Sequence, residues 1–479
     1  MTIGITEEHE ALHEAARGWV ERHAAPSVAR AALDAEREEL PAFWPQLAEQ
    51  GWLGLHVDDA YGGSGYSLSE LVVILEELGR AVAPGPFLPS VLAAAVVQAG
   101  AEEATAKALL PGLAAGDLVG TVAITGTLAA TEGGDGSLEV RGELRPVLSG
   151  HLASLLLARA GDTWCAFTAD EIGATELPSL DRTRRVAAVT VDAKVPPERQ
   201  LHGLTTARVL DIAAVLLVAD GVGGSQWCVE TAAAYAKDRH QFGRPIGQFQ
   251  GVKHRCADMV ARTELARAAT WDAARAADDA DAAAITAVSA GALGIEAYVQ
   301  TAKDCIQVHG GIGFTWEHDA HLYLRRAEAT RLILGEPEAL RVRAARLALG
   351  GARRRLAVDL PPEAESTRLE VREFLAGLDG LDAAEQHRRI ADGGYVVPQW
   401  PKPWGRDAGA VEQLVIDEEF RRAEVVRPGI AVGGWAMPPL MVYGSEEQRQ
   451  RWIPPTLRGE ISWCQLFSEP GAGSDLASL

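Results

Sequence analysis

Apolar residues recur every three to four positions through two long stretches of the chain, and a middle stretch breaks into short runs. The first helix starts behind Thr6, a residue type that caps helix N-termini, with Glu7, Glu8 and Glu10 in its first turn and Trp19 and Val20 on its apolar side. A second pattern opens at Ser67 and places Leu68, Leu71, Val72, Leu75 and Leu78 on one face, with Gly79 and Pro84 read as its stops. Between them, Asp58 to Gly65 is a turn cluster. From about Leu118 to Gln200, runs such as Leu138–Val140, Ala153–Leu157, Trp164–Phe167 and Val186–Val191 are separated by Gly, Asp and Pro and predict strands.

From Arg208 to about Leu349 the pattern is helical again and rich in alanine. One helix is expected to end at Asp238–Pro245, a second to run from Val252 to about Ala280, and a third from Ile285 to about Val308. Long helices with short connections predict an antiparallel bundle, and Gly221, Gly223 and Gly224 inside the first helix predict close packing there. A linker follows at Val358 to Ala364.

Beyond the linker the start of the chain returns. Gly51-Trp52 and Gly394-Tyr395 lie 343 residues apart, as do Tyr61-Gly62 and Trp404-Gly405. Glu76-Glu77 is echoed by Glu418-Glu419, and Gly100–Glu103 by Gly444–Glu447. A period of this length is a domain-scale repeat rather than a solenoid. The expected division is a helical domain at 1–117, a β domain at 118–202, a bundle at 203–350, a linker at 351–364, a second helical domain at 365–462 and the start of a second β domain at 463–479.

Composition narrows the classes. Apolar residues are 47% and charged residues 23%, a globular profile. The net charge of −21 argues against a nucleic-acid groove, which must neutralise phosphates. No apolar run approaches the ~20 residues that span a bilayer, so no membrane partner is expected. Five scattered cysteines form no disulfide framework or zinc ribbon, and with no visible signal peptide the expected compartment is the cytoplasm.

Several segments carry candidate chemistry. His9–His13 fits H-E-x-x-H, whose histidines share a helix face. A zinc site and a solvated first helix are the two readings, and the lack of a third ligand favours the second. His318 and His321 are also expected at the surface, and no metal site is assigned. Asp238–Gln250 (DRHQFGRPIGQFQ) and Gln307–Trp316 (QVHGGIGFTW) each join a helix end to glycines, an aromatic ring and amide or guanidinium groups. Arg239 offers a donor fork suited to a pyrophosphate, Phe242 a face for a heteroaromatic ring, and Gly310 and Gly311 close backbone approach. Phe467–Leu476 (FSEPGAGSDL) is a turn with free hydroxyls and amides at a change from helix to expected strand.

These segments, with Tyr61–Gly65 and Tyr443–Gln448, in this order, resemble the acyl-CoA dehydrogenases along all 479 residues. The resemblance implies an α+β, mainly α fold. Its parts are an N-terminal helical domain, a middle β-barrel and a C-terminal four-helix bundle, followed by the helical start of a second repeat. It implies FAD and FAD-dependent α,β-dehydrogenation of an acyl-CoA thioester. The electron acceptor it implies is an electron-transfer flavoprotein, and the assembly a dimer of fused chains. Arg239, Gln241, Phe242, Gln250, Gln307, Gly310 and Gly311 would take the ADP end of FAD, Phe467 and Ser468 the flavin, and Ser474 the CoA thioester.

The chain also departs from that family. Thr125 stands 343 residues before Ser468, yet Gly126-Thr127-Leu128 follows it, and Arg141–Ser149 stands where a second flavin turn belongs. The two positions that hold the family's catalytic Glu are Leu334 and Ala207, leaving Glu336 as the nearest carboxylate. The resemblance therefore implies a catalytically silent first repeat that lends the ADP-side half of a composite FAD site. A non-catalytic assembly partner and an acyl-CoA oxidase are the alternatives. Fused members of this kind hint at bulky acyl groups such as steroid side chains.

Overall fold

The computed structural model describes residues 6–354, 360–466, 468–475 and 477. Two compact units divide the chain, residues 4–356 and 357–479.

The first unit opens with six helices, α1 (Glu7–His23), α2 (Pro26–Asp34), α3 (Trp44–Glu49), α4 (Leu68–Arg80), α5 (Phe87–Gly100) and α6 (Glu103–Ala115). Thr6 caps α1 through its side chain. Ser67 caps α4, and its backbone N–H donates to the Glu70 carboxylate at 2.9 Å, closing a capping box. The apolar faces of α1, α3, α4 and α5 meet around Trp19, Trp44, Leu47, Trp52 and Leu71.

Eight strands follow, at Gly120–Val122 (β1), Ala129–Glu132 (β2), Leu138–Leu148 (β3), Leu155–Ala160 (β4), Thr163–Thr168 (β5), Ile172–Glu176 (β6), Val186–Val195 (β7) and Gln200–Leu201 (β8). They form two four-stranded sheets, ordered β1-β4-β5-β8 and β2-β3-β7-β6, and every pairing except parallel β1–β4 is antiparallel. Alternate side chains of β3 and β7 turn inward, where Val140, Leu144, Val189 and Val191 meet Phe167 of β5.

The bundle comprises α7 (Thr206–Asp238), α8 (Gln250–Arg275), α9 (Ala283–His309), the single turn α10 (Gly311–Phe314), α11 (Ala320–Leu334) and α12 (Pro337–Leu349). A two-stranded hairpin, β9 (His240–Gln241) and β10 (Arg244–Pro245), joins α7 to α8. Gly223 and Gly224 of α7 have the packing role expected of them. A Cβ on Gly223 would overlap the Glu76 carbonyl oxygen of α4, and one on Gly224 would overlap the Tyr298 ring of α9. Gly79 corrects its expected role. It lies inside α4 and is buried, and a Cβ there would overlap the Asp220 carbonyl oxygen of α7. It is a contact point between helices, and α4 ends one residue later without it.

The second unit holds α13 (Ala364–Ala376), α14 (Ala383–Asp392), α15 (Ala410–Arg422), α16 (Gly433–Tyr443) and α17 (Glu446–Leu457). Val371, Ile390, Tyr395, Val415 and Phe420 form one core, and Trp400, Met437, Ile453 and Leu457 another. Local details match the first unit. Gly51 and Gly394 both take positive φ, +73° and +75°. The Glu77 carboxylate is held by Arg17 and His13 of α1, and the Glu419 carboxylate by Arg368 and Arg372 of α13. After α17 the described residues contain no strand, only an isolated bridge between Glu469 and Ala472.

Candidate functional site

The end of α7 is built by its sequence. The Arg239 N–H donates to the Tyr235 carbonyl at 2.8 Å and closes the helix. Phe242 and Gly243 then both take positive φ, +53° and +79°, the geometry of a two-residue hairpin turn that follows the strand twist. The Ile246 N–H donates back to the Arg239 carbonyl at 2.8 Å. Arg244 lies over the Phe249 ring at 4.2 Å, and Phe249 meets Phe242 edge to face at 5.9 Å. Phe242 is nevertheless 91% exposed, so the fold itself gives this ring no cover. Gln241 is exposed beside it, and Gln250 is the first residue of α8.

At the end of α9, Gln307 sits in the last turn and Gly310 caps it at φ +60°. A Cβ at Gly310 or Gly311 would meet nothing within 4 Å, so the backbone there is open to a ligand. Phe314 and Trp316 of the following loop are exposed.

His309 joins the two segments. Its ring stacks on Tyr235 with centroids 4.5 Å apart, so the Arg239 turn and the Gly310-Gly311 turn are neighbours at one end of the bundle. The histidine is buried, and its Nδ1–H donates to the Cys305 carbonyl at 2.8 Å. Burial works against its charge, but the contacts with Cys305 outweigh it and hold the imidazole above its ordinary pKa. Its other face meets His318 at 4.2 Å. His318 and His321 are therefore half-buried rather than on the surface, because the loop folds them against Trp227 and Trp316. The periodicity of α9 carried no sign of His309, nor that of α7 any sign of Tyr235. Their place inside and beside the two singled-out segments was the available signal.

The remaining candidates lie elsewhere. Leu334 is partly buried among Val218, Val222, Ala266 and Ala297, and Ala207 is exposed in the first turn of α7. Neither position offers a carboxylate. Glu336 stands at the start of α12, is 62% exposed and pairs with Arg331. Ser468 and Ser474 are exposed on a turn closed by a 2.9 Å bond from Glu469 N–H to the Ala472 carbonyl. Phe467 lies outside the described residues. In the first β domain, the Thr127 hydroxyl is taken up by the Arg159 and Gly161 carbonyls, and the buried Thr125 hydroxyl has no hydrogen-bond partner.

The HEALH segment lines a cavity of about 540 Å³ between α1, α4, α7 and α8. Its histidines are already engaged, His9 Nε2 with Glu70 at 3.1 Å and His13 Nε2 with Glu77 at 2.8 Å. Among the described residues no group of three His, Cys, Asp or Glu side chains could hold a metal ion. No helix among them is long and apolar enough to cross a membrane.

Two buried charged clusters stabilise the frame. Arg326 of α11, 1% exposed, donates to Asp181 at 2.9 Å and to the Ala83 carbonyl at 3.0 Å, and faces Asp220 at 3.4 Å. Burial raises the Asp181 pKa, but Arg326 and Arg184 outweigh it and hold the carboxyl below its usual range. Glu38, between α2 and α3, accepts from the Ser149 hydroxyl at 2.9 Å and the Arg185 N–H at 3.1 Å. Desolvation dominates there and pushes its pKa up to about 7.

Comparison with known proteins agrees with this arrangement. The family model for the acyl-CoA dehydrogenase C-terminal domain matches residues 203–349, and that for the N-terminal domain matches both 6–117 and 361–460. The chain is 40% identical over 491 aligned positions to acyl-CoA dehydrogenase FadE34 of Mycobacterium tuberculosis, covering 100% of this chain and 67% of that one. Among solved structures, the ChsE4-ChsE5 complex from Mycobacterium tuberculosis superposes with a TM-score of 0.68 at 26% identity, over 73% of this chain and 99% of that one. A variant of the Tcur3481-Tcur3483 steroid ACAD gives 0.66 at 30% identity, over 73% and 99%. With both domain types matched and this whole chain aligned to a 40% identical relative, the chain belongs to the acyl-CoA dehydrogenase family, FAD-dependent oxidoreductases acting on CH–CH bonds.

Proposed function

We propose that residues 6–349 form a catalytically silent first repeat of an acyl-CoA dehydrogenase, and that residues from 361 onward open a second repeat. The observation that carries this reading is the juxtaposition of the Arg239 and Gly310 turns at one bundle end, together with two family base positions that hold no carboxylate. The Arg239 and Gly310 turns meet through Tyr235 and His309, while Leu334 and Ala207 supply no proton acceptor. Removing the α-proton of an acyl-CoA needs a general base, worth ~10²–10⁴-fold in rate. Support for the repeat comes from the doubly matched N-terminal domain and from the equivalent settings of Gly51 with Gly394 and Glu77 with Glu419.

In this reading the bundle holds the ADP side of one FAD. Arg239 would hold the pyrophosphate, Gln241, Phe242, Gln250 and Gln307 would hold the adenosine side, and the open backbone at Gly310 and Gly311 would admit the ligand. The donor set and the uncovered rings fit that group. The first β domain fits the flavin ring poorly, because Gly126-Thr127-Leu128 stands where the second repeat has Glu469-Pro470-Gly471, and the Thr127 hydroxyl is committed to the Arg159 and Gly161 carbonyls. By the family resemblance Phe467 and Ser468 would hold the flavin side instead, and Ser474 the CoA thioester. When bound, FAD supplies the two-electron acceptor for α,β-dehydrogenation.

The substrate is an acyl-CoA with a bulky acyl group, a reading supported by the steroid ACAD among the similar structures. A dimer of such chains in the cytoplasm, passing electrons to an electron-transfer flavoprotein, completes the proposal. Spectra of the purified native protein test it. A flavin absorbance lost on Arg239→Ala but kept on Glu336→Gln supports the reading, and a protein that never takes up flavin contradicts it.

A further inference from the structure

The loop from Gly310 to Asp319 is held at three points. Arg30 of α2 donates to the Trp316 and Glu317 carbonyls at 3.0 and 2.7 Å and pairs with Asp319 at 2.7 Å. His309 anchors the loop's first end through Cys305 and Tyr235. His318 anchors its far end, because its Nδ1 accepts the Ala320 N–H at 3.1 Å and so caps α11, whose N-cap residue Asp319 makes no side-chain cap bond itself.

The two imidazoles have incompatible needs for a second proton. His309 uses Nδ1 as a donor and keeps that role when charged. His318 uses Nδ1 as an acceptor and loses that role when charged. A proton on His318 would therefore break the cap and, with His309 charged, set two cations against each other, the ring centroids being 4.2 Å apart with their planes tilted by 47°. We propose that His309 and His318 form a proton-sensitive clasp that shapes the Gly310–Trp316 loop for the dinucleotide, so that ligand affinity falls on acidification. The proposal rests on the reading of this bundle end as the ADP side of the FAD site.

The other titratable and charged groups around the pair are Tyr235 and Cys228 of α7, Cys256 of α8, Cys305 of α9, Arg30 of α2, and Asp319, His321 and Arg325 beside the loop. Asp319 favours a proton on His318, whereas burial, His309, Arg30 and His321 oppose it, and the net effect lowers the His318 pKa. The sign follows. A histidine held below its ordinary value contributes fully above pH ~6.5, and that contribution is lost as pH falls through the depressed value. His309, held above its ordinary value, has the opposite sign and keeps its proton in the same range. His240 lies in the neighbouring hairpin, so a variant at His318 is needed to isolate the clasp.

ADP-ribose is the probe, because its pyrophosphate has no group titrating between pH 5 and 8. Its affinity for the chain is measured by calorimetry from pH 7.5 to 5.5, with amide spectra of Gly310, Gly311 and Gly313 recorded without ligand. The expected result is a weakening that grows as pH falls below the ordinary histidine value, up to about five- to tenfold, the worth of a lost cap, with the glycine amides shifting or broadening alongside it. In His318→Asn, an uncharged side chain that can still accept from Ala320, both changes should vanish while affinity at pH 7.5 is kept. An unchanged pH profile in His318→Asn, with binding still lost in Arg239→Ala, overturns the clasp and leaves the cofactor reading standing. No binding at pH 7.5 overturns both, and amide spectra that do not respond to pH overturn the clasp whatever the affinity.

Discussion

Gly223 of α7 rests directly on the Glu76 backbone of α4, and any side chain at Gly223 would occupy the space of the Glu76 carbonyl oxygen. Gly223→Ala must push two helices of the main core apart, and it should cost at least ~1–3 kcal/mol, the usual range for overpacking. Gly251, in the first turn of α8, has nothing within 4 Å of its Cβ position. Gly251→Ala should be neutral or stabilise by up to about 1 kcal/mol through helix propensity. Urea unfolding of the two variants checks the contrast, and equal midpoints would contradict the close crossing.

Arg326 answers two buried aspartates, and a buried pair that loses one partner typically costs ~3–5 kcal/mol. Arg326→Met should destabilise on that scale at pH 7. The Asp181 carboxyl is held below its ordinary value of 3.8, so its contribution is present above that pH and is lost as pH falls through the depressed value. The gap between wild type and variant should therefore shrink in acid. Thermal unfolding at pH 7 and below pH 4 measures it, and a gap that widens in acid would reverse the sign.

Glu38 works the other way. With a pKa near 7 against an ordinary 4.5, the folded state keeps its proton longer than the unfolded state. Its contribution is full below pH 4.5 and is lost as pH rises through 7, a slope worth roughly 3 kcal/mol in total. Glu38→Gln can still accept from Arg185 N–H and donate to the Ser149 oxygen, and it should flatten that slope. Unfolding free energies between pH 4.5 and 8 give the comparison.

Much of this frame could be read from residue pattern. Thr6 and Ser67 were legible as caps because a hydroxyl before an apolar-periodic run has one common use. The short runs around Trp164 and Val186 became β5 and β7. Gly79 was misread because a glycine that ends a helix and one that lets two helices touch look alike in sequence. Only the position of Asp220, far along the chain, separates the cases. The histidines 318 and 321 were placed at the surface because the aromatic cover over them is partly on α7. The two segments at this end of the bundle were visible as motifs, but Tyr235 and His309, which bring them together, follow ordinary helical spacing. Arg326 was silent for the same reason, since Asp181 and Asp220 are distant in sequence.

The silent-repeat reading has a kinetic consequence. Residues 1–479 alone should turn over acyl-CoA substrates weakly or not at all with an artificial electron acceptor, because Leu334 and Ala207 cannot remove the α-proton. Glu336, exposed and paired with Arg331, should be dispensable. Robust turnover that disappears in Glu336→Gln would place the base there after all.

The central claim is one composite FAD site that uses Arg239 of the silent repeat. Flavin titration of the native protein carrying these residues, followed by absorbance, tests it most directly. The account predicts one FAD per chain. It also predicts a loss of about 10- to 100-fold in affinity for Arg239→Ala, the worth of one charge-assisted guanidinium contact. Two FAD per chain, or an Arg239→Ala variant that binds as tightly as wild type, would contradict it.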